Sequence, residues 1–426
     1  MKKKTVFSIF WVCFFAHTAF AQDFVLQAGN VIDVEAGRVI KNQSIVISNG
    51  RIVEIGNNVT VPEGAEQIDL RHATVMPGLM DAHTHMALST VDSRDFGRYY
   101  FTSLLEPTAF RAIQGVANSR AMLESGFTTI RDVGNNAYYA DVALRRAITD
   151  GWIPGPHMLT AGRIIAPFGG QFTLQPEKQD LAEPEYFFAD TKDEILKAVR
   201  QNIHFGATVI KLVVNGQKYI YSEEDVRLAV EEAKKVGIKV AAHATTDASA
   251  RNAILGGAAS IEHGWLLSDE ILTLMKEKNV YLVGTDFPLG SYYAITEENY
   301  QVIIDRLKRA YKIGTPIAFG TDVVYYKEGK TRGTATLDFL QSFEDAGIPP
   351  LETLRMMTLN TAKLLGVDGD RGAIKVGLRA DLIAVTGEPH KDLQAALKRV
   401  EFVMKSGKIY KKDGRFQWET PTKIGH

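Results

Sequence analysis

The chain has 426 residues, of which 45% are hydrophobic and 23% are charged, and its 49 basic and 50 acidic side chains nearly cancel. This is the composition of a globular protein, long enough for one large domain and a smaller one, and no internal repeat or low-complexity tract interrupts it. The formal net charge of −1, without a basic stripe, argues against a nucleic-acid partner or an anionic membrane surface.

The first 21 residues have the three parts of a secretory signal peptide. "MKKK" is a basic start, "TVFSIFWVCFFAHTAF" is a short apolar run, and "AFA" fits a signal peptidase site. The run is too short and wrongly flanked for a permanent membrane span. We therefore expect cleavage after Ala21 and a periplasmic or secreted protein. Cys13, the single cysteine, lies in this segment, so the exported chain could form no disulfide.

Both ends of the remaining chain predict short antiparallel strands. In "SIVISNGRIVEIG", two alternating runs flank Asn49-Gly50, which is a strong signal for a type I′ hairpin turn. Near the C-terminus, "RVEFVMKSGKIYK" repeats the pattern around Ser406-Gly407. We predict that residues 22–75 and 370–426 together form one small β-sandwich domain.

Residues 76–369 alternate between strand-like runs and amphipathic helices. The strand-like runs are "ATVMPGLMDAH", "FTTIRDVG", "HMLTAG", "TVIKLVV", "KVAAHA", "SIEHG", "YLVGTD" and "PIAFGTD". The helix "SEEDVRLAVEEAKKVG" begins with Ser222 and Asp225, which is close to a capping box. Eight such units predict an α/β fold of the (β/α)8 barrel type, with loops at the mouth after each strand.

A lysine stands in the middle of one predicted barrel strand. Lys211 is flanked by apolar residues on both sides in "TVIKLVV", a run typical of a strand that is buried on both faces. Lysine is almost never fully buried without a partner, and desolvation lowers its pKa. One explanation for a buried Lys211 is a salt bridge to a buried acid, and the other is that Lys211 takes part in the chemistry of an active site.

Further metal-binding residue types stand where barrel strands end. His83 and His85 lie on one face of a strand, as does Asp81, because side chains alternate with period two. The other ends carry His243, His263 and Asp322. Each could be an ordinary hydrogen-bonded histidine or a capping aspartate. Together with Lys211 they share the face where barrel enzymes keep their active sites, and imidazole with carboxylate suits Zn²⁺.

These motifs resemble the amidohydrolase superfamily, within its imidazolonepropionase-like and Xaa-Pro dipeptidase-like branch. "MPGLMDAHTH" is similar to the first-strand motif of the family, and "SIEHG" and "GTD" are similar to later ones. "TLNTAKLLGVDGDRGAIKVGLRADLIAV" resembles the stretch that leaves the barrel for the small β domain. The resemblance extends over essentially the whole mature chain and implies a hydrolase acting on C–N bonds of small molecules.

The resemblance also implies two divalent ions and a modified lysine. Lys211 matches the lysine that CO2 converts to a carbamate, which bridges both ions together with a hydroxide. A neutral, desolvated amine can attack CO2, and the ions stabilise the resulting anion. The implied metal-binding residues are His83, His85, Lys211, His243, His263 and Asp322. Asp322 would also be the catalytic base, and Zn²⁺ is the expected metal.

Two loops differ from those of the dipeptidase-like relatives. Gln171, in "PFGGQFTLQ", stands where many of them have histidine, and the loop "NGQKYIYSEED" after Lys211 is not glycine-rich. The candidate substrate contacts are Arg131, Gln171, Tyr219 and Tyr221. The favoured substrates are dipeptides or N-acyl amino acids.

Two other functions remain open at this point. The same site could hydrolyse a cyclic amide, an ester or a lactone. A catalytically silent binding protein on the same barrel would be indicated by a lost ligand or base, and none is lost. The sequence leaves the oligomeric state open, including a homo-oligomer.

Overall fold

The computed structural model describes residues 22–96, 98–216, 218–291 and 295–419, so the predicted signal peptide lies outside the described residues. The strands are β1 Phe24–Asp33, β2 Arg38–Ser48, β3 Arg51–Gly56, β4 Glu66–Pro77, β5 Leu79–Thr84, β6 Phe127–Asp132, β7 His157–Thr160, β8 Ile164–Ala166, β9 Tyr186–Phe188, β10 Ile210–Val213, β11 Val240–Ala244, β12 Ser260–His263, β13 Tyr281–Val283, β14 Leu382–Val385, β15 Val400–Lys405, β16 Lys408–Lys412 and β17 Arg415–Phe416.

The α-helices lie mostly between the strands of the central region. They are α1 Asp92–Asp95, α2 Tyr99–Leu105, α3 Thr108–Glu124, α4 Ala140–Thr149, α5 Lys192–His204, α6 Glu223–Lys234, α7 Asp247–Leu255, α8 Asp269–Lys278, α9 Glu297–Ile313, α10 Arg332–Leu337, α11 Leu340–Asp345, α12 Pro350–Arg355, α13 Thr361–Leu365 and α14 Leu393–Leu397. A 3₁₀ segment covers Pro176–Ala182, and a π-helical turn covers Met356–Asn360. No described helix combines the length and apolarity that crossing a membrane requires.

Strands from both chain ends form one sheet, which we call the terminal sheet. Its order is β17-β16-β15-β14-β4-β1-β2-β3. The Ile52 N–H donates to Leu378 O at 2.9 Å, and the Gly377 N–H donates to Ile52 O at 2.8 Å. The free edge of β3 is thus covered by the chain just before β14, and the sheet curls around its own apolar core. The strands that were predicted to form a sandwich of two sheets are therefore joined by hydrogen bonds into one curled sheet.

The two predicted hairpin turns have the geometry that their residues favour. Asn49 and Gly50 have φ of 51° and 74°, and Ser406 and Gly407 have φ of 50° and 73°. Two successive positive φ values define a type I′ turn, whose twist matches the flanking strands. These turns set the antiparallel pairings of β2 with β3 and of β15 with β16.

The central region is an α/β barrel whose parallel strands close a ring. Parallel pairing joins β5 to β6 to β7, and β10 to β11 to β12 to β13. The Val209 N–H donates to Thr160 O at 3.3 Å, which links β7 to β10. Residues 316–322, which we call the closing segment, pair with β13 on one side and with β5 on the other. There Ala318 N–H donates to Leu282 O at 3.0 Å, and Ala82 N–H donates to Phe319 O at 2.8 Å.

Two predicted strands differ from what the structure contains. The run "ATVMPGLMDAH" is divided at Gly78 into β4, which belongs to the terminal sheet, and β5, which belongs to the barrel. The closing segment makes the expected backbone hydrogen bonds but is not a regular strand. The predicted boundary after residue 75 stays a prediction, and β4 pairs with β14 as far as Pro77.

The helices α3 to α9 lie between the barrel strands; α3 packs against α4, and α5 to α9 pack side by side in succession. Ser222 caps α6 in the predicted way, since its hydroxyl accepts the Asp225 N–H and Asp225 accepts the Ser222 N–H. Thr191 and Glu194 form the same box at α5. Capped helices fix where each strand begins and ends, and so hold the loops at the mouth in place.

Candidate active site

The six polar residues predicted at the strand ends line one cavity at the carboxyl face of the barrel. We call them the ligand set: His83, His85, Lys211, His243, His263 and Asp322. His85 Nε2 lies 3.1 Å from Asp322 Oδ1, and His83 Nε2 lies 3.8 Å from the same oxygen. The structure thus brings one carboxylate against both histidines of the H-x-H motif, within a span of 4.8 Å that one metal ion could occupy.

The other side of the ligand set contains two histidines and the lysine. The His243 and His263 rings are 4.5 Å apart, and His263 is 4.9 Å from the His83 ring. In the sheet, Val213 pairs with His243, so Lys211 lies two residues deeper on the neighbouring strand. Lys211 Nζ is buried and has no hydrogen-bond partner among the described residues. A salt bridge to a buried acid is therefore not what holds this lysine.

Unusual backbone conformations aim these side chains. His263, Thr285 and Asp322 have φ of 69°, 46° and 58°, although none of them is a glycine. Such values are sterically costly, above all for a β-branched residue such as threonine, and they persist only where the surroundings enforce them. All three stand at the ends of adjacent strand positions in the ring. The strain is concentrated where the ligand set is assembled.

A buried carboxylate orients His83 from below. Glu262, which is fully buried, accepts a hydrogen bond from His83 Nδ1 at 2.7 Å. His85 Nδ1 likewise donates to Gly134 O at 2.6 Å. Because both acceptors lack hydrogens, each Nδ1 carries the proton and each Nε2 is left to face the cavity. This is the tautomer that a metal-binding histidine needs.

Arg131 does not contact the cavity, contrary to the prediction that it binds substrate. Its guanidinium donates to Glu262 at 2.7 Å, to Ala82 O at 2.6 Å and to Ser260 Oγ at 3.1 Å, and only 2% of the residue is exposed. Its side chain points into the barrel interior. Arg131 therefore neutralises and holds Glu262, and so supports His83 indirectly.

The tyrosines predicted to contact substrate also lie elsewhere. Tyr221 is buried outside the cavity wall and its hydroxyl donates to Ala189 O at 2.6 Å. Tyr219 is 71% exposed and is not among the residues that line the cavity. Gln171 does line the cavity, where its side-chain oxygen accepts the Tyr186 hydroxyl at 2.6 Å. Of the four candidates, the structure brings Gln171 alone to the site.

Electrostatics at the ligand set favour a bound cation. Burial, reinforced by the charge of Lys211, lowers the pKa of His243 to about 3, and burial also holds the pKa values of His83 and His263 well below the ordinary value. Burial alone would do the same at His85, but the hydrogen bond and charge of Asp322 raise its pKa above the ordinary value. The set therefore offers neutral imidazoles at His83, His243 and His263, and beside His85 a carboxylate that attracts positive charge.

Burial also makes the neutral amine form of Lys211 easier to reach than in an exposed lysine. Burial lowers the pKa of Lys211 to about 8, against the opposing charges of Glu262 and Asp322. Beside it, burial raises the pKa of Asp81 to about 7, although Thr321 and the His83 N–H donate to its carboxylate. Neutral imidazoles, a carboxylate and an unpartnered buried amine form a donor set that fits divalent ions.

Two groups around the site were not found from the sequence. Glu262 is a charged residue inside a buried strand, the same signal that marked Lys211, so it could have been found. The apolar wall of the cavity, which includes Trp265, Phe287 and residues of α9, has no local sequence signal, because it depends on how distant loops meet.

An α/β barrel with this ligand set at its carboxyl face defines the class of barrel hydrolases that bind metal ions. The amidohydrolase family matches residues 74–410, and the chain belongs to that family. It is a hydrolase that acts on carbon–nitrogen bonds.

Several relatives span nearly the whole chain. Ochratoxinase of Aspergillus niger is 28% identical over 95% of this chain and 90% of its own. Imidazolonepropionase of Symbiobacterium thermophilum is 25% identical over 88% and 92%. A solved Xaa-Pro dipeptidase with methionine bound in its active site superposes with a TM-score of 0.80, at 30% identity, over 92% of this chain and all of that one.

Proposed function

We propose that the protein is a binuclear metal hydrolase that cleaves amide bonds of small molecules, either dipeptides or N-acyl amino acids. The observation that carries this proposal is the convergence of the whole ligand set on one cavity, with Lys211 Nζ buried there without a partner. Ochratoxinase and the Xaa-Pro dipeptidase are similar to the whole chain and support amide substrates.

The ligand set divides into residues for two ions. His83 and His85, with Asp322 beside them, would hold one ion, and His243 with His263 would hold the other. Lys211, as a carbamate formed with CO2, would contribute one oxygen to each. Zn²⁺ fits this mixture of imidazole and carboxylate oxygen best. When bound, such ions lower the pKa of water and polarise a carbonyl group.

The residues of the chain would position the reaction and move the proton. Asp322 is 19% exposed at its side chain, so it reaches the cavity, and its carboxylate lies beside the histidines of the first strand. It would take the proton of the attacking water and deliver it to the leaving nitrogen. Glu262 and Arg131 would keep His83 in place, and the buried walls would exclude bulk water.

A substrate panel tests this proposal. Mature protein loaded with Zn²⁺ and bicarbonate would be assayed against dipeptides, N-acyl amino acids, cyclic amides, esters and lactones. We expect turnover of linear amides. If the enzyme hydrolyses only cyclic amides, esters or lactones, that class would replace linear amides as the proposed substrates. If a fully metallated enzyme hydrolyses none of these compounds, the proposed function is refuted.

We also propose export, with cleavage after Ala21. The basic start, the apolar run and "AFA" support this location. N-terminal sequencing of protein from the native cell should begin at Gln22. A mature protein that begins at Met1 would contradict the proposal.

A further inference from the structure

One side of the cavity is built almost wholly of apolar side chains, which we call the apolar flank. Its members come from the loops after β12 and β13 and from the first turns of α9: Trp265, Leu266, Phe287, Ile295, Val302 and Ile303. These elements follow one another around the ring, so the flank is continuous. The cavity has a volume of about 590 Å³, and sites of roughly 300–1,000 Å³ hold ligands much larger than water or a small ion.

The apolar flank begins directly beside the ligand set. The Trp265 ring is 5.1 Å from the His263 ring and 6.1 Å from the Phe287 ring. The indole N–H of Trp265 donates to Gly284 O at 3.1 Å, which fixes the ring and satisfies its polar atom. Phe287 is supported from behind by Phe339, at 5.5 Å between ring centres. A rigid aromatic surface therefore lies within reach of whatever is bound at the ligand set.

The flank continues to the rim, where it is left open to water. Leu266 is 68% exposed and Val302 is 39% exposed, although both border the cavity. Contiguous exposed apolar surface is disfavoured in water and marks a place where an apolar partner is bound. No described residue of the flank is charged, so a charged substituent placed there would lose its hydration without a partner.

The rest of the cavity wall is mixed, with Leu88, Ile164 and Val324 beside Tyr99, Asn135 and Gln171. Asn135 is 9% exposed and has a buried side-chain oxygen without a hydrogen-bond partner among the described residues. Arg111 donates a hydrogen bond to the backbone carbonyl of Asn135. Asn135 has φ of 54°, so the loop around Asn135 is held in a costly conformation. A hydrogen-bond donor of the substrate would satisfy this oxygen. The apolar flank and this polar group thus share one cavity with the ligand set.

We propose that the apolar flank is a specificity subsite, and that the substrates are amides with a bulky uncharged group, aromatic or branched aliphatic, on one side of the scissile bond. This proposal rests on the proposed function and narrows it. Small dipeptides and amides with a charged group in that position should be poor substrates. The bulky group would cover Leu266 and Val302 and pack against Trp265.

Two substrate series test the proposal, because the structure does not fix which side of the bond faces the flank. The first joins acetyl, succinyl, benzoyl or naphthoyl groups to glycine, and the second joins acetyl to glycine, lysine, leucine or phenylalanine. In at least one series, kcat/KM should rise by about tenfold or more from the smallest member to the aromatic one. The kcat/KM of the charged member should be no higher than that of the smallest member.

A charge placed on the flank provides the matched variant. Val302→Asp should lower kcat/KM for the aromatic substrate by about tenfold or more, and for the smallest substrate by less than about threefold. Val236→Asp is the control, because Val236 is 56% exposed and lies outside the cavity. That control should change neither value. Equal losses on both substrates in Val302→Asp would overturn the proposal.

A binding measurement keeps this test separate from catalysis. Naphthoylglycine should bind the metallated Asp322→Asn variant, in which turnover should be slow, at least about tenfold more tightly than acetylglycine, and adding Val302→Asp should abolish the difference. If the wild type hydrolyses small and charged amides as well as aromatic ones, the subsite is refuted while the function stands. If no amide is cleaved, the function fails, and calorimetry with the two ligands still decides whether the subsite exists.

Discussion

Asp322 belongs both to the proposed first ion site and to the proposed proton transfer. Its backbone N–H donates to His83 O at 2.8 Å, and its carboxylate lies 3.1 Å from His85 Nε2. The positive φ of 58° turns its side chain over the cavity rather than along the wall. A carboxylate held there can accept a proton while other residues keep the ions in place.

Asp322→Asn should separate metal binding from turnover. The amide keeps the shape of the side chain but cannot accept the proton, and loss of a general base typically costs ~10²–10⁴-fold in rate. KM should change much less, because the lost interaction acts in the transition state. The measurements are metal content and steady-state kinetics. Near-normal kcat in a fully metallated variant would remove Asp322 from proton transfer.

At the residue scale, the sequence predicted where residues lie in the barrel better than it predicted where their side chains point. His83, His85 and Lys211 could be placed at the cavity, because strand periodicity and the carboxyl face of a barrel determine where they lie. Arg131 could not, because whether a strand-end side chain points out to the mouth or into the interior depends on neighbours such as Glu262 on a distant strand. Tyr221 was misplaced because it lies in the loop just before α6, where its direction depends on a distant partner, Ala189 O.

The closing segment is the element on which the site depends most closely. It joins β13 to β5 through backbone hydrogen bonds and carries Asp322. Gly320 allows this close approach: a Cβ at that position would lie 2.4 Å from Val283 Cγ1 and 3.0 Å from the Cβ of His83. Glycine is required at this position because a side chain would clash with its neighbours, and not because of its backbone angles.

Gly320→Ala should therefore loosen both the barrel and the first ion site. Overpacking of this kind typically costs about 1–3 kcal/mol of unfolding free energy. His83 should also be displaced, so the affinity for the ions should fall. Gly369→Ala is the control, because a methyl group at that position would have no heavy atom within 4 Å. Chemical denaturation and metal titration measure the two effects, and equal stability of both variants would refute this role of the closing segment.

At the element scale, local patterns predicted the hairpins and the capped helices, because turn and cap residues act within a few positions. The division of "ATVMPGLMDAH" at Gly78 into β4 and β5 was missed. Pro77-Gly78 is a local signal for a break, but the contact that separates the two halves is distant in sequence, since the Gly78 N–H donates to Asp381 O, 303 positions later in the chain. The irregular closing segment was missed for a similar reason, because its partners are β5 and β13.

The terminal sheet and the barrel floor are joined by a buried polar cluster around His157. His157 Nε2 lies 3.2 Å from Ser406 Oγ and 3.4 Å from Asp381 Oδ2. Nearby, Lys405 Nζ donates to Gly155 O at 2.5 Å. His157 begins β7, so this cluster lies at the amino end of that strand, at the opposite end from the site. The same contact links both ends of the chain to the barrel.

Stability should fall in mild acid because of His157. Burial lowers the pKa of this histidine in the folded protein, although Asp381 opposes the shift. Below its ordinary pKa, near 6.5, the unfolded chain therefore binds a proton that the folded chain does not, and stability is lost as the pH falls from that value.

His157→Gln should reduce the loss of Tm between pH 7 and pH 5, as thermal unfolding at each pH would measure. His204→Gln is the control, because His204 is exposed on α5. An unchanged pH dependence in His157→Gln would show that the cluster does not titrate as described.

At the scale of the whole molecule, the proposed chemistry depends on two ions held by one ligand set. The most direct measurement is elemental analysis of mature protein reconstituted with Zn²⁺ and bicarbonate, beside Lys211→Ala treated in the same way. We predict about two ions per chain in the wild type and at least one fewer in the variant, because the variant could not form the proposed carbamate that would hold both ions. A wild type without bound metal, or a variant that retains both ions, would contradict the proposed chemistry.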